Sequence, residues 1–294
     1  MRSGEGDGSD ELRHLDARLA RALATGDESE LTVLGYGEVS CALALGPAHV
    51  AKPLPPFPNP SAVDRYVAVF HAYLDGLRRR GIEPVASRLE VLERDGCPVV
   101  WCIQERLPSD ALLPVLLRHD APDEARDRFV RLRDRVIAAA GPRFGVDAQA
   151  SNWADVDGRL RYLDVTTPLV RDGHGRETLD TGLFLAALPA PLRPLVRRFA
   201  LRTIVDKYYA PRGALLDLLG NLHKERLGHL VEPFLAVANE RLDPPITSEE
   251  VRRYYRADAA VWEALLRVRR LDRAWRRRVR GRPYPFLLPG PIER

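Results

Sequence analysis

Asp157-Gly158, set between two stretches of alternating residues, commits the middle of the chain to a two-residue β-hairpin. On its second arm Leu160, Tyr162 and Asp164 alternate with polar or charged neighbours, the period-2 pattern of a half-buried strand. Closing the chain about that turn brings Asn152 and Asp164, twelve positions apart, to one open end. Asp147 stands five residues before Asn152. A carboxylate and an amide oxygen at a hairpin mouth, with a second carboxylate one loop away, suit Mg²⁺ together with phosphates. Magnesium wants hard oxygen ligands and takes few of them from protein. A solvated surface hairpin uses the same residues, because Asp and Asn are ordinary turn formers. The hairpin alone leaves both readings open.

The amino-terminal part adds a second constraint. Leu31 to Leu34 is a short apolar run, followed by Gly35-Tyr36-Gly37-Glu38 and then Val39 to Leu45. Gly46-Pro47-Ala48 turns the chain again into His49-Val50-Ala51-Lys52. The pattern is strand, glycine turn, strand, turn, strand. Of the 45 basic residues only Lys52, Lys207 and Lys224 are lysine. Against that preference for arginine a retained lysine invites a reason: a compact ammonium fits between phosphate oxygens where a planar guanidinium does not. An exposed lysine at a strand end is the plainer alternative.

Between these segments the sequence is readily divided. Residues 1 to 10 are small, polar and acidic and are expected to lack structure; Leu12, Leu15, Leu19 and Leu23 then predict a helix ending near Gly26. Five prolines within Pro53 to Pro60 predict an extended connector. Ser61 opens a helix with Val63, Val67, Phe70, Leu74 and Leu77 on one face. Val85 to Glu93 and Pro98 to Leu107 read as strands about Asp95-Gly96, and the run Val99 to Ile103 predicts a buried central strand. Helices are expected from Ala111, from Asp123, and through most of the chain after Pro168.

This order of parts (glycine loop, strand lysine, helix, hinge strand, helix, Asp-x4-Asn, hairpin, Asp) resembles the protein-kinase-like superfamily, and in it the aminoglycoside-phosphotransferase-like branch of small-molecule kinases. The resemblance covers roughly residues 30 to 170. It implies an α+β, two-lobed protein-kinase-like fold: a tail and short helix over residues 1–29, a sheet-rich amino lobe over 30–107 and a helical carboxyl lobe over 108–294. It implies ATP and Mg²⁺ as cofactors and a small-molecule acceptor. By it Asp147 is the catalytic base, Asn152 and Asp164 are the metal ligands, and Lys52 binds phosphate. Gly35, Gly37 and Ser40 would lie over the phosphates, and the hinge backbone at Glu105 and Leu107 would face the adenine. Departures are visible too: Val146 precedes the aspartate, Asp164-Val165-Thr166-Thr167 replaces Asp-Phe-Gly, and the helix after Lys52 offers only Asp64 and Asp75 as acids. They keep open a second class, a pseudokinase-like binding or interaction module without turnover.

Hydrophobic residues make up 45% of the chain, enough for a substantial core, yet no run of about 18 apolar residues predicts a membrane span. The first residues carry no apolar segment of the signal-peptide kind, and Cys41, Cys97 and Cys102 have no metal-ligand spacing. A reducing cytoplasm is the expected setting. Thr247-x-x-Glu250 predicts a capping box at the start of the last helix, and Val261, Leu265, Val268, Trp275 and Val279 give it one apolar stripe. Between Arg267 and Arg282 nine arginines meet one acid, Asp272, a formal +8 that leaves −4 for the remainder. Such a patch suits nucleic acid or an anionic surface. A buried stripe with arginine solvated elsewhere explains it as well, and that is the expectation adopted. Oligomeric state is not encoded in any recognisable feature.

Overall fold

The computed structural model describes residues 5–37, 40–180, 182–186, 188–189, 192–194, 196 and 201–289. Strands β1 (Val33–Tyr36), β2 (Cys41–Leu45), β3 (His49–Pro53), β5 (Ser87–Arg94) and β6 (Cys97–Glu105) form one antiparallel sheet in the order β1-β2-β3-β6-β5. The hairpin joining β5 to β6 turns at Asp95 (φ 52°) and Gly96 (φ 73°), the left-handed pair that an Asp-Gly turn supplies at least cost. Helix α1 (Glu5–Thr25) packs Leu12, Leu15 and Leu19 on one face of the sheet, against Leu43, Ala51, Trp101 and Ile103. Helix α2 (Pro60–Arg79) places Phe70 and Tyr73 in the core that holds Val100 and Cys102. Successive side chains of a strand point to opposite faces, and the run Val99 to Ile103 of β6 is apolar because both faces are covered there.

Helix α1 starts at Glu5, inside the stretch expected to lack structure. Its anchors explain the extension: besides the leucines, Asp16 accepts from Arg94 Nη2 (2.5 Å) and Trp101 Nε1 (3.0 Å), fixing the helix to β5 and β6. The prolines between β3 and α2 form the expected connector, and Asn59 caps α2 by accepting from Ala62 N–H (2.9 Å).

A second sheet crosses between the lobes. The short β4 (Glu83–Pro84) pairs in parallel with β8 (Arg159–Tyr162), which pairs antiparallel with β7 (Trp153–Val156). Val85 N–H donates to the Tyr162 carbonyl (2.9 Å). The predicted hairpin is therefore tied to chain that precedes the hinge strand.

Beyond the hinge lie α3 (Leu113–His119), α4 (Pro122–Ala139), α5 (Gly182–Leu185), α6 (Leu201–Asp206), α7 (Pro211–Lys224), α8 (Val231–Asn239) and α9 (Ser248–Arg278). Phe129 of α4 stacks on Phe234 of α8 at 4.1 Å between ring centres. The result is the α+β, two-lobed arrangement that the order of sequence elements implies. One local expectation here needs correction. The chain does not become helical directly after Pro168: Val170 bridges Phe144 and Arg171 bridges Glu177 first. Arg171 explains this, since its guanidinium holds Glu177 (2.7 Å) and Asp206 and lies 3.7 Å over the Tyr209 ring. Pro191, in the same region, lies outside the described residues.

The capping box of α9 forms as read, with Thr247 Oγ1 accepting from Glu250 N–H (3.2 Å). Its apolar stripe does not bury as expected. Leu266 and Arg269 face inward, whereas Val261, Trp275 and Val279 are exposed. The segment after the helix turns back at Gly281 (φ 58°) and lays Tyr284, Phe286 and Leu288 on the opposite side, where Tyr284 Oη accepts from Arg269 Nε (3.1 Å). Among the described residues no helix is long and apolar enough to cross a membrane.

Candidate functional site

The β7–β8 hairpin is set by Asp157 (φ 51°) and Gly158 (φ 79°), with Val156 opposite Arg159 and Trp153 opposite Tyr162. One more bond lengthens it: Leu163 N–H donates to the Asn152 carbonyl (2.8 Å). Asn152 thereby lies across from the Leu163-Asp164 step. The Leu163 carbonyl in turn accepts from Lys52 Nζ (3.1 Å) and Gln104 Nε2 (3.0 Å), which reach it from β3 and β6 of the other lobe. Lys52 sits opposite Cys102 in the sheet, so the register of two amino-lobe strands aims this ammonium at the carboxyl-lobe hairpin.

Asp164 accepts from Thr166 Oγ1 (3.3 Å) through one carboxylate oxygen. Burial pushes its carboxyl above the ordinary range, and the Lys52 charge and Thr166 hydrogen bonds only partly oppose that. Asp147, 9% exposed, accepts from Gln149 N–H (3.0 Å) through Oδ1, while its own N–H donates to Tyr162 Oη (3.3 Å). Its carboxyl is pushed well up, first by burial and then by the charges of Asp217 and Asp164. The Gln149 N–H and Lys207 pull the other way. Lys52, Asp147, Asn152 and Asp164 are thus gathered at one end of the hairpin, beneath β3.

The acids of α2 do not join them. Asp64 and Asp75 are exposed. From the same helix Tyr66 Oη instead donates to the Thr166 carbonyl (2.9 Å), two residues past Asp164. Lys52 makes no salt bridge among the described residues, leaving its charge set only against Asp164 and a carbonyl.

The glycine segment is placed in two parts. Gly35 belongs to β1, opposite Ala42. Gly37 N–H donates to the Ser40 carbonyl (2.8 Å), and a Cβ at Gly37 would stand 3.2 Å from that oxygen, so the approach favours glycine. Ser40 Oγ donates to the Pro53 carbonyl (2.5 Å), which commits the hydroxyl to the end of β3. Glu38 and Val39 lie outside the described residues. At the hinge, Glu105 N–H is used by the Ala86 carbonyl (2.9 Å) and the Glu105 carboxylate meets Arg161 (3.4 Å). Leu107 N–H has no partner among the described residues.

A neighbouring cluster escaped the sequence reading. Asp217, fully buried in α7, accepts from Lys207 Nζ (2.7 Å), Asn221 Nδ2 (3.1 Å) and Gln149 Nε2 (3.2 Å), and from Tyr254 Oη. Burial works against the Lys207 charge, but Asp217 and Tyr254 outweigh it and hold the ammonium firmly protonated. Through Gln149 this cluster touches the loop that carries Asp147. Two signals marked it: the scarcity of lysine, and a lone carboxylate inside the apolar stretch Leu215 to Leu222. Tyr209 is a core aromatic, buried with its hydroxyl on Glu177 (2.5 Å).

The donor set can be tested against a metal. No group of three or more His, Cys, Asp or Glu among the described residues is arranged to hold a cation by itself. Asp164 and Asn152 offer two side-chain oxygens, and the Asn152 side-chain amide makes no hydrogen bond among the described residues. Together with a half-buried carboxylate short of positive partners, that set fits Mg²⁺ arriving with phosphates and water, not a closed protein cage.

The model of a family of unknown function, DUF6206, matches residues 14–273. The chain belongs to that family. No curated protein matches it in sequence. Three solved structures are similar to it at low identity. One, described as WaaP in complex with acyl carrier protein, has a TM-score of 0.37 at 13% identity, covering 85% of this chain and 95% of that one. A GDP and kanamycin complex of APH(2")-IIia has a TM-score of 0.27 at 11% identity, covering 77% and 97%. Glucosamine kinase with glucosamine, ADP and inorganic phosphate has a TM-score of 0.29 at 16% identity, covering 92% and 83%. None of these superpositions is close, so the site of this DUF6206 chain is argued from its own geometry.

Proposed function

We propose that this protein is a nucleotide-dependent phosphotransferase acting on a hydroxyl or amine of a small molecule. The observation that supports this most is the Lys52 ammonium resting on the Leu163 carbonyl, one residue from a half-buried Asp164 and with no ion pair among the described residues. A structural lysine is normally satisfied, as Lys207 is.

In this reading Lys52 draws the phosphates under β3, and the Leu107 N–H and the strand ends position the base. Asp164 and Asn152 would hold Mg²⁺, which when bound supplies charge neutralisation for the phosphates. Asp147 orients the acceptor and takes its proton as the acceptor oxygen or nitrogen bonds to phosphorus and the bond to the leaving nucleoside diphosphate breaks. A raised carboxyl is the better base, and burial raises Asp147. Most of the rate would come from positioning and charge, with little covalent work for the protein.

The test is a thermal-unfolding panel of ATP, GTP and ADP, each with and without Mg²⁺. A ligand at a hundred times its Kd adds about 2.7 kcal/mol, a shift of several degrees. Stabilisation by a nucleoside triphosphate that needs both Mg²⁺ and Asp164 supports the reading. Absence of any shift for all three nucleotides overturns it, and a metal-independent shift without phosphate transfer to any acceptor moves the protein to the pseudokinase class.

A further inference from the structure

The exposed face of α9 is the feature that the proposed reaction does not use. Val261, Leu271, Trp275 and Val279 are 61%, 70%, 55% and 59% exposed, and they are half of the eight large hydrophobics exposed among the described residues. At 100° per residue the four fall within about a quarter of the helix circumference, so they form one row and not a scatter. Away from the row, Arg269 is buried on Tyr284 and Arg277 donates to the Leu23 carbonyl (2.9 Å), while Asp272, on the flank of the row one heptad before Val279, pairs with Arg276 (2.9 Å). The row is therefore held rigidly outward by contacts behind it. Arg278 on the helix, and Arg280 and Arg282 just beyond its end, are exposed and make no ion pair among the described residues.

We infer that this face docks the protein on an anionic lipid surface. Several observations favour that occupant. The row lies on the crest of a single helix, and an apolar crest edged by arginines suits a plane into which Val, Leu and Trp side chains sink while guanidinium heads stay with phosphate headgroups. Nucleic acid would use the arginines but has no need of the aliphatic row. A second copy paired two-fold about the middle of the row would set arginine against arginine with only Glu263 and Asp272 to offset them. The charge is also concentrated: residues 267–282 carry +8 while the rest of the chain sums to −4, so the molecule is electrically oriented toward a negative surface.

The experiment uses the full chain with vesicles of phosphatidylcholine alone and of phosphatidylcholine containing roughly one-third phosphatidylglycerol, read by flotation and by tryptophan emission. Binding to the anionic vesicles only, weakened by salt and accompanied by a blue shift that Trp275→Phe removes, is the expected result. Leu271→Ser with Trp275→Ser should lower vesicle affinity at least ~10-fold, because the apolar row carries the insertion. An unchanged unfolding midpoint in that variant shows that the loss is not one of folding. Equal binding to neutral vesicles, no binding, or full retention by the double variant overturns the inference. Duplex DNA bound as tightly as the anionic vesicles and indifferent to Leu271 and Trp275 would also overturn it in favour of a general polyanion site. A concentration-dependent dimer abolished by the double variant would overturn it in favour of self-association.

Discussion

Lys52 and Lys207 are two of only three lysines in the chain, both lie partly buried at the lobe junction or near it, and their surroundings are opposite. Lys207 is saturated: Asp217 and Tyr254 each stand 2.7 Å from Nζ, and Asn221 and Gln149 complete the carboxylate. Lys52 has a carbonyl at 3.1 Å and the charge of Asp164 nearby, without an ion pair among the described residues. A buried charge that is fully partnered fixes one arrangement of its neighbours. A charge left short of partners beside a half-buried carboxylate leaves room for a ligand group, which is the proposed role of Lys52. On the proposed reading, the contrast separates a scaffold that holds the Asp147 loop from a site for phosphate.

The largest effect should come from breaking the saturated member. Asp217→Asn leaves the Lys207 ammonium without its counter-charge and is expected to cost about 3 kcal/mol or more, measured by urea unfolding. A loss below about 1 kcal/mol would show that the cluster is not a structural anchor and remove half of the comparison. Lys52→Ala should do the reverse. Stability falls by no more than about 1 kcal/mol, while affinity for Mg²⁺-nucleotide drops at least ~10-fold. Lys52→Arg is expected to behave nearly like Lys52→Ala, since the planar guanidinium does not replace a point charge at a crowded phosphate. Full affinity in the arginine variant would break the argument from lysine scarcity.

Asp147 sharpens the comparison through pH. Its folded-state pKa is raised, so the folded state holds the proton more strongly than the unfolded chain does. Stability should therefore decline as pH climbs from the ordinary carboxylate range near 3.8 through the raised value, and Asp147→Asn should remove that decline. At neutral pH the variant is expected to be more stable by about 1 kcal/mol and to have lost phosphate transfer. A variant less stable than the parent at neutral pH would mean that the carboxylate is structurally satisfied. The smallest effect belongs to Ser40→Ala. It gives up one hydrogen bond to the Pro53 carbonyl, about 1 kcal/mol, and should leave nucleotide affinity within about twofold. A large loss of affinity would return the hydroxyl to the phosphates.

Much of the architecture was legible where a local rule left little choice. Asp157-Gly158 and Asp95-Gly96 supply positive φ at paired turn positions, so both hairpins and their registers could be read directly. Position 52 could be read in the same way, because one lysine at the end of an apolar strand stands out among arginines. The Asp217 cluster was harder, since its members Gln149, Lys207, Asp217 and Tyr254 are spread over more than a hundred positions and meet only when α7 and α9 pack.

What the sequence by itself determined, then, was the set of elements and the ends of the hairpin that bring Asn152 to Asp164. Those follow from turn chemistry and periodicity, which act over a few residues. Only the tertiary structure decided which side of each element finds a partner. The stripe of α9 is the case in point: periodicity shows that Val261, Trp275 and Val279 share a face, but whether that face is buried depends on where residues 283–289 return. Those residues cover the side bearing Arg269, so the apolar side remains open to solvent. Likewise Lys52 acquires its meaning from a carbonyl 111 positions away, delivered by two sheets that no local rule brings together.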